Sequence, residues 1–261
     1  MKSTIPLRSF LALSLLLVFS CKKNNSSPST PTTGSGSTLV RIQQGIDPDI
    51  TNDSIYLIKY NASKKISSII DSLNQDTLTA AYDATSGALS AVTETWGMNA
   101  TFSYDGTGLL TRINSVIAGS LEQYAFEYTG GVVSKKSYYS NLGAGSVSLQ
   151  GYYTYVVTNG NITSMSQYDK NGALVVTTTY TYGTQPNNFK NLALFTYANF
   201  LGTADVLNIE SYFNTNNQTG SSWNGTSIAS TYTFNANQAV SKLVTTNNYL
   251  DYVLTWMFFY N

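Results

Sequence analysis

The sequence predicts an all-β fold, an antiparallel up-and-down meander closed or nearly closed into a barrel-like shape, on three observations. Tyrosine is unusually frequent, with 20 among 261 residues, while only 11% of residues are charged. Several segments alternate strictly between aromatic and small or polar side chains. A Tyr-Asp turn unit recurs at a fixed spacing. Aromatic and β-branched side chains suit a pleated, half-buried surface, and straight-chain helix formers are scarce.

Along the chain, residues 1–20 come first. Lys2 and Arg8 provide a positive start, Phe10 to Phe19 an apolar run, and Ser20 a small residue before Cys21. The run is too short for a transmembrane helix and suits a signal peptide. Val18-Phe19-Ser20-Cys21 resembles a lipobox, which implies lipidation of Cys21 and cleavage just before it. Residues 21–38 continue as a Lys/Asn/Ser/Thr/Pro/Gly stretch with no apolar residue to pack, so a solvated tether is expected. As a flexible coil it spans roughly 20–25 Å. The β domain is expected over residues 39–261.

Within that domain Tyr60-Asn61, Tyr82-Asp83 and Tyr104-Asp105 are each 22 residues apart, and Tyr128-Thr129-Gly130-Gly131 follows. Looser copies are Thr158 to Ile162, Tyr168 to Leu174 and Phe234 to Val240. A regular period signals a stacked architecture. In each unit an alternating strand such as Tyr124-Ala-Phe-Glu-Tyr128 runs into Asp or Asn. That side chain opens the turn by accepting backbone amides, Gly supplies a positive φ, and the next strand restarts at Leu or Val. One 22-residue period is then two strands and two reversals.

These Tyr-Asp-x-x-Gly-x-Leu units resemble YD repeats of the RHS type. With the signal-plus-tether context, most of residues 55–261 resembles an uncharacterised group of Bacteroidetes lipoproteins of the DUF4595-like kind. The resemblance implies an outer-membrane lipoprotein and brings no activity or active-site residue with it. Surface-exported members carry acidic residues after the cysteine, where this chain has Lys22, Lys23, Asn24 and Asn25. The face of the membrane is therefore left open.

Residues 187–202 interrupt the β pattern, and a short helix or loop that plugs a barrel end or covers a sheet edge is expected there. Tyr252 to Tyr260 is apolar on both faces and reads as a central or barrel-closing strand, with Trp256 in the core. The rival architecture is an integral outer-membrane barrel, whose strands need about nine to eleven residues and a lipid-facing apolar band. Most strands look shorter than that.

Several chemistries are poorly supplied. The chain has no His and a single Cys, which removes imidazole catalysis, disulfides and cysteine metal clusters. Cleavage before Cys21 leaves 12 basic residues against 14 acidic, a poor basis for holding phosphates, so no nucleic-acid partner is expected. Asp83, Asp105 and Asp169 are assigned to turn capping rather than Ca²⁺. Glu122 and Glu127 fall on opposite faces of one strand, so they form no glycosidase pair. No cofactor and no enzymatic role are expected. The aromatic candidates for ligand recognition are Trp96, in Thr95-Trp-Gly-Met-Asn99, and Trp223, in a polar loop from Asn214 to Gly225, both beside turns, and packing of each indole over the sheet is the competing expectation. Two functions follow: a structural or protein-interaction module of the envelope, or a lipoprotein that binds a glycan or small ligand through loop aromatics. A filled interior favours the first, and an open cavity with exposed aromatics the second.

Overall fold

The computed structural model describes residues 38–46, 49–95, 97–117, 119–141, 146–189, 192, 209–248 and 252–261. Its strands are β1 Leu39–Ile46, β2 Asp49–Tyr60, β3 Ile66–Asp71, β4 Asp76–Tyr82, β5 Leu89–Glu94, β6 Asn99–Tyr104, β7 Leu110–Ile117 and β8 Ser120–Thr129. They continue as β9 Val132–Ser140, β10 Ser148–Thr158, β11 Asn161–Asp169, β12 Leu174–Pro186, β13 Asn216–Trp223, β14 Thr226–Phe234, β15 Val240–Asn247 and β16 Tyr252–Tyr260. Each pairs antiparallel with its sequence neighbours, and β16 pairs with β1 to close a 16-strand barrel. The all-β meander read from the sequence is the fold observed, and the terminal apolar strand is the closing one.

The hairpins form where the turn chemistry places them. Asn61 Oδ1 accepts the amides of Ser63 and Lys65, Asp105 those of Thr107 and Leu109, Asp169 those of Asn171 and Ala173, and Asn235 those of Asn237 and Ala239. Gly108 and Gly172 then take positive φ, a role that Lys64 and Gln238 fill in two of the copies at the steric cost a Cβ brings. The two rims differ. Turns after even-numbered strands carry Asn61, Asp83, Asp105 and Asn235, and this end is the tyrosine rim. The Tyr168-Asp169 copy follows β11 and so lies on the opposite rim.

Alternation decides which way each strand faces. In β6, Ala100 and Phe102 are buried while Asn99, Thr101 and Ser103 are exposed; in β14, Ile228 and Ser230 are buried while Ser227, Ala229, Thr231 and Thr233 are exposed. The buried set, from Ile42 through Ile69, Leu78, Val92, Phe102, Ile113, Phe126 and Ile162 to Leu243 and Phe258, forms one apolar cluster inside the barrel. The exposed positions of these two strands are mainly Thr and Ser, and elsewhere the wall also exposes Leu57, Val116, Val156 and Val175. An outer-membrane barrel has the reverse arrangement, with an apolar band outside. Strands run from 6 to 13 residues, several of them longer than the sequence suggested. Length therefore does not separate the two architectures.

Candidate functional site

Two described pieces between β12 and β13, residues 187–189 and 209–215, pack against the barrel interior at the tyrosine rim. Residues 187–202 lie almost wholly outside the described residues; the helix that is seen, α1 Ile209–Phe213, comes later in the chain. Asn214 Oδ1 accepts the Ile162 amide, and Thr215 donates to the Gly160 carbonyl, fixing the end of α1 against the β10–β11 turn. Phe213 packs on Phe126 and Tyr128 of β8 at ring distances of 5.9 and 6.5 Å. Phe189 packs on Tyr232 of β14 and Phe258 of β16 at 6.1 and 5.1 Å. Since β8 and β16 are half a turn apart in the ring, the Phe213 and Phe189 side chains reach opposite walls at this end.

One ion pair holds α1 to the wall. Lys136 Nζ of β9 lies 2.8 Å from Glu210 Oε1 of α1, with side chains 2% and 4% exposed. The Tyr155 hydroxyl donates to the same oxygen at 2.9 Å, and the Tyr153 ring lies 4.4 Å from Lys136 Nζ. Burial beside the Glu210 charge pushes the Tyr155 phenol well up, keeping it a donor. Two charges so far from water persist only when each is paired and hydrogen-bonded. No sequence period marks Lys136 or Glu210, and nothing in the sequence joins the one to the other.

The recurring tyrosines have a single task. Tyr60, Tyr82, Tyr104, Tyr128, Tyr182, Tyr232 and Tyr260, each on an even-numbered strand, donate to the carbonyls of Leu39, Ile66, Leu89, Leu110, Ile162, Gln218 and Val240 on the strand before. Burial pushes the Tyr60, Tyr82 and Tyr260 phenols up to about 12. Their rings belong to the lumen edge and their hydroxyls are spent on backbone, which leaves them unsuited to stacking sugars. Tyr104→Phe is expected to cost about 1 kcal/mol in urea unfolding, the worth of one such bond.

The opposite rim is more polar. Asp71 and Asp76 face each other at the β3–β4 turn, and the Asp71 carboxylate caps Leu73 and Asn74. Beside them Glu94 is pushed up to about 7, first by burial and then by the hydrogen bond and charge of Asp76. A carboxyl raised in the folded state contributes stability that is complete below its unfolded value near 4.5 and lost as pH rises through 7. Lowering pH from 8 to 5 is therefore expected to gain about 1 kcal/mol from this group, screening by water having removed most of the nominal effect. Glu94→Gln should flatten that part of the stability–pH curve.

Of the candidates read from the sequence, Trp96 and Cys21 lie outside the described residues. Trp223 was expected in a polar loop from Asn214 to Gly225, but residues 216–223 form β13. Asn224 and Gly225, both with positive φ, turn this strand directly into β14, leaving Trp223 half-buried on the lumen side of the wall at the opposite rim. Trp256 is core, 0% exposed. Glu122 faces inward and Glu127 outward, as their spacing requires. Among the described residues no cluster of three His, Cys, Asp or Glu is placed to hold a metal ion.

The fold and its inward apolar face define a closed meander barrel. The overall fold is similar to that in the crystal structure of a porin-like protein from Bacteroides uniformis ATCC 8492, at a TM-score of 0.58 and 15% identity over 86% of this chain and 98% of that one. A porin-like protein from Bacteroides vulgatus ATCC 8482 matches at 0.56 and 14%, over 87% and 99%. At such identity the likeness is one of fold. No family model matches the chain, and no curated protein does.

Proposed function

We propose that this chain is a non-enzymatic envelope protein whose barrel stands in water as a structural or protein-interaction module, held to the outer membrane by lipid on Cys21. The observation that carries the reading is the sidedness of the wall. Apolar side chains fill the inside, Thr, Ser and charged groups cover the outside, and α1 packs inside one end. Exposed Leu57, Val116, Val156 and Val175 interrupt this wall. The Thr, Ser and charged positions between them argue against the continuous apolar belt a bilayer demands, and the apolar interior argues against a water channel. Porin-like neighbours from Bacteroides support an envelope setting through the shared fold.

Membrane fractions and black-lipid recordings test this together. The wild-type chain is expected in the membrane fraction, Cys21→Ser in the soluble one, and neither should give single-channel conductance. Membrane retention of Cys21→Ser, or conductance steps, would overturn the reading. Crosslinking in intact cells then identifies the protein partner. The alternative, a glycan or small ligand held at the opposite rim, draws on the half-buried Trp223 and predicts a saturable thermal stabilisation by an oligosaccharide that Trp223→Ala abolishes.

A further inference from the structure

Two buried hydroxyls short of hydrogen-bond partners lie in one row of the inner wall. Ser115 of β7 stands directly opposite Glu122 of β8, and Glu122 directly opposite Ser140 of β9. All three face the lumen, in step with Ile113, Tyr124 and Lys136 on their own strands. Ser115 and Ser140 are 0% and 1% exposed; among the described residues Ser115 Oγ has no partner, and Ser140 Oγ has no well-formed hydrogen bond beyond its approach to the Tyr138 phenol. Ser140 lies beside the Tyr138 phenol, close enough to offset part of the effect of burial there. The Glu122 carboxylate accepts hydrogen bonds from Tyr124 at 2.9 Å and Tyr138 at 3.2 Å, whose rings stack with centroids 5.2 Å apart.

The charge of this row is uncompensated. Two ion pairs form among the described residues, Lys135–Glu127 on the outer wall and Lys136–Glu210 between β9 and α1, and neither involves Glu122. Lys136 is the inward lysine on the adjacent strand, and it is committed to Glu210. Arg112, on β7, is exposed on the outer side. A half-buried carboxylate at a lumen wall favours a nearby cation, and buried hydroxyls call for a partner.

We propose that Ser115, Glu122 and Ser140 bind a small monovalent cation, an alkali ion or a primary ammonium group. Glu122 supplies the single negative charge. The seryl oxygens and the phenolic oxygens of Tyr124 and Tyr138 supply neutral hard donors. One carboxylate suits one positive charge, whereas Ca²⁺ sites draw on several carboxylates. Entry is from the opposite rim, where Glu122 sits two residues into β8 and is half-buried.

Thermal unfolding of the purified chain in sodium, potassium, methylammonium and tetramethylammonium chlorides at fixed ionic strength tests the site. A saturable Tm rise of a few degrees over tetramethylammonium is expected from at least one of the first three. A response to sodium or potassium assigns an alkali-ion site, and a response to methylammonium alone assigns an ammonium site. Glu122→Gln should abolish the rise, and Ser115→Ala should raise the half-saturating concentration several-fold. Equal Tm in all four salts, or an unchanged response in Glu122→Gln, overturns the proposal. Should Glu122→Gln fail to fold, an unchanged response in Ser115→Ala does so.

Discussion

Lys136→Met is expected to lower the stability of the barrel by about 3–5 kcal/mol in denaturant unfolding, the largest loss at any charged position. Methionine fills much of the same volume, so the loss is electrostatic in origin: the Glu210 carboxylate stays inside without its counter-charge. Its one remaining donor is the Tyr155 hydroxyl. Adding Glu210→Gln in the same chain removes the orphaned charge while keeping an acceptor for Tyr155, and should recover most of the loss. A double-mutant cycle measures this directly. Equal costs for the single and double variants would mean that the lysine acts through packing alone.

Trp256→Ala should cost about 3–5 kcal/mol by the same measurement, for a different reason. The indole is 0% exposed at the centre of β16, paired with Gln44 of β1 and Leu243 of β15. Truncation leaves a cavity beside the strand pair that closes the barrel, where both flanking strands are fixed by further pairing and cannot collapse inward. Trp256→Phe should cost far less, about 1 kcal/mol. The indole N–H finds no acceptor, so its removal relieves a buried polar group while the ring is largely kept. Comparable losses for the two variants would show that Nε1 is satisfied in solution.

Much of the fold was legible in the sequence because its signals are local. Asp105 caps Thr107 and Leu109, and Gly108 carries the positive φ, all within five residues. Phe102 and Ser103 fall on opposite faces by the pleat alone. The closing role of β16 was readable because a strand apolar on both faces needs two neighbours. Interactions between distant residues were not readable. Lys136 meets Glu210 across 74 positions, and nothing near either one announces the other. Trp223 was misplaced because β13, with Asn216, Asn217, Gln218, Gly220 and Ser221, has a loop-like composition. It becomes a strand because β12 and β14 offer it hydrogen bonds on both sides. The tyrosine period was visible, but its purpose was not, since each hydroxyl reaches a carbonyl 14–21 residues earlier.

The seam between β1 and β16 sets the order in which this chain can fold. Every other pairing joins sequence neighbours, so those hairpins can zip without a large search. Ile42 meets Phe258 only when nearly the whole chain has been made and curled round. Closing a loop of that length costs about 5 kcal/mol of chain entropy, repaid at the last step by a single strand pair and its buried side chains. Until then both edges are open to pairing with another molecule. A chain that lacks β16 is thus a sticky ribbon, and the last strand must be in place before the protein is safe from its own copies.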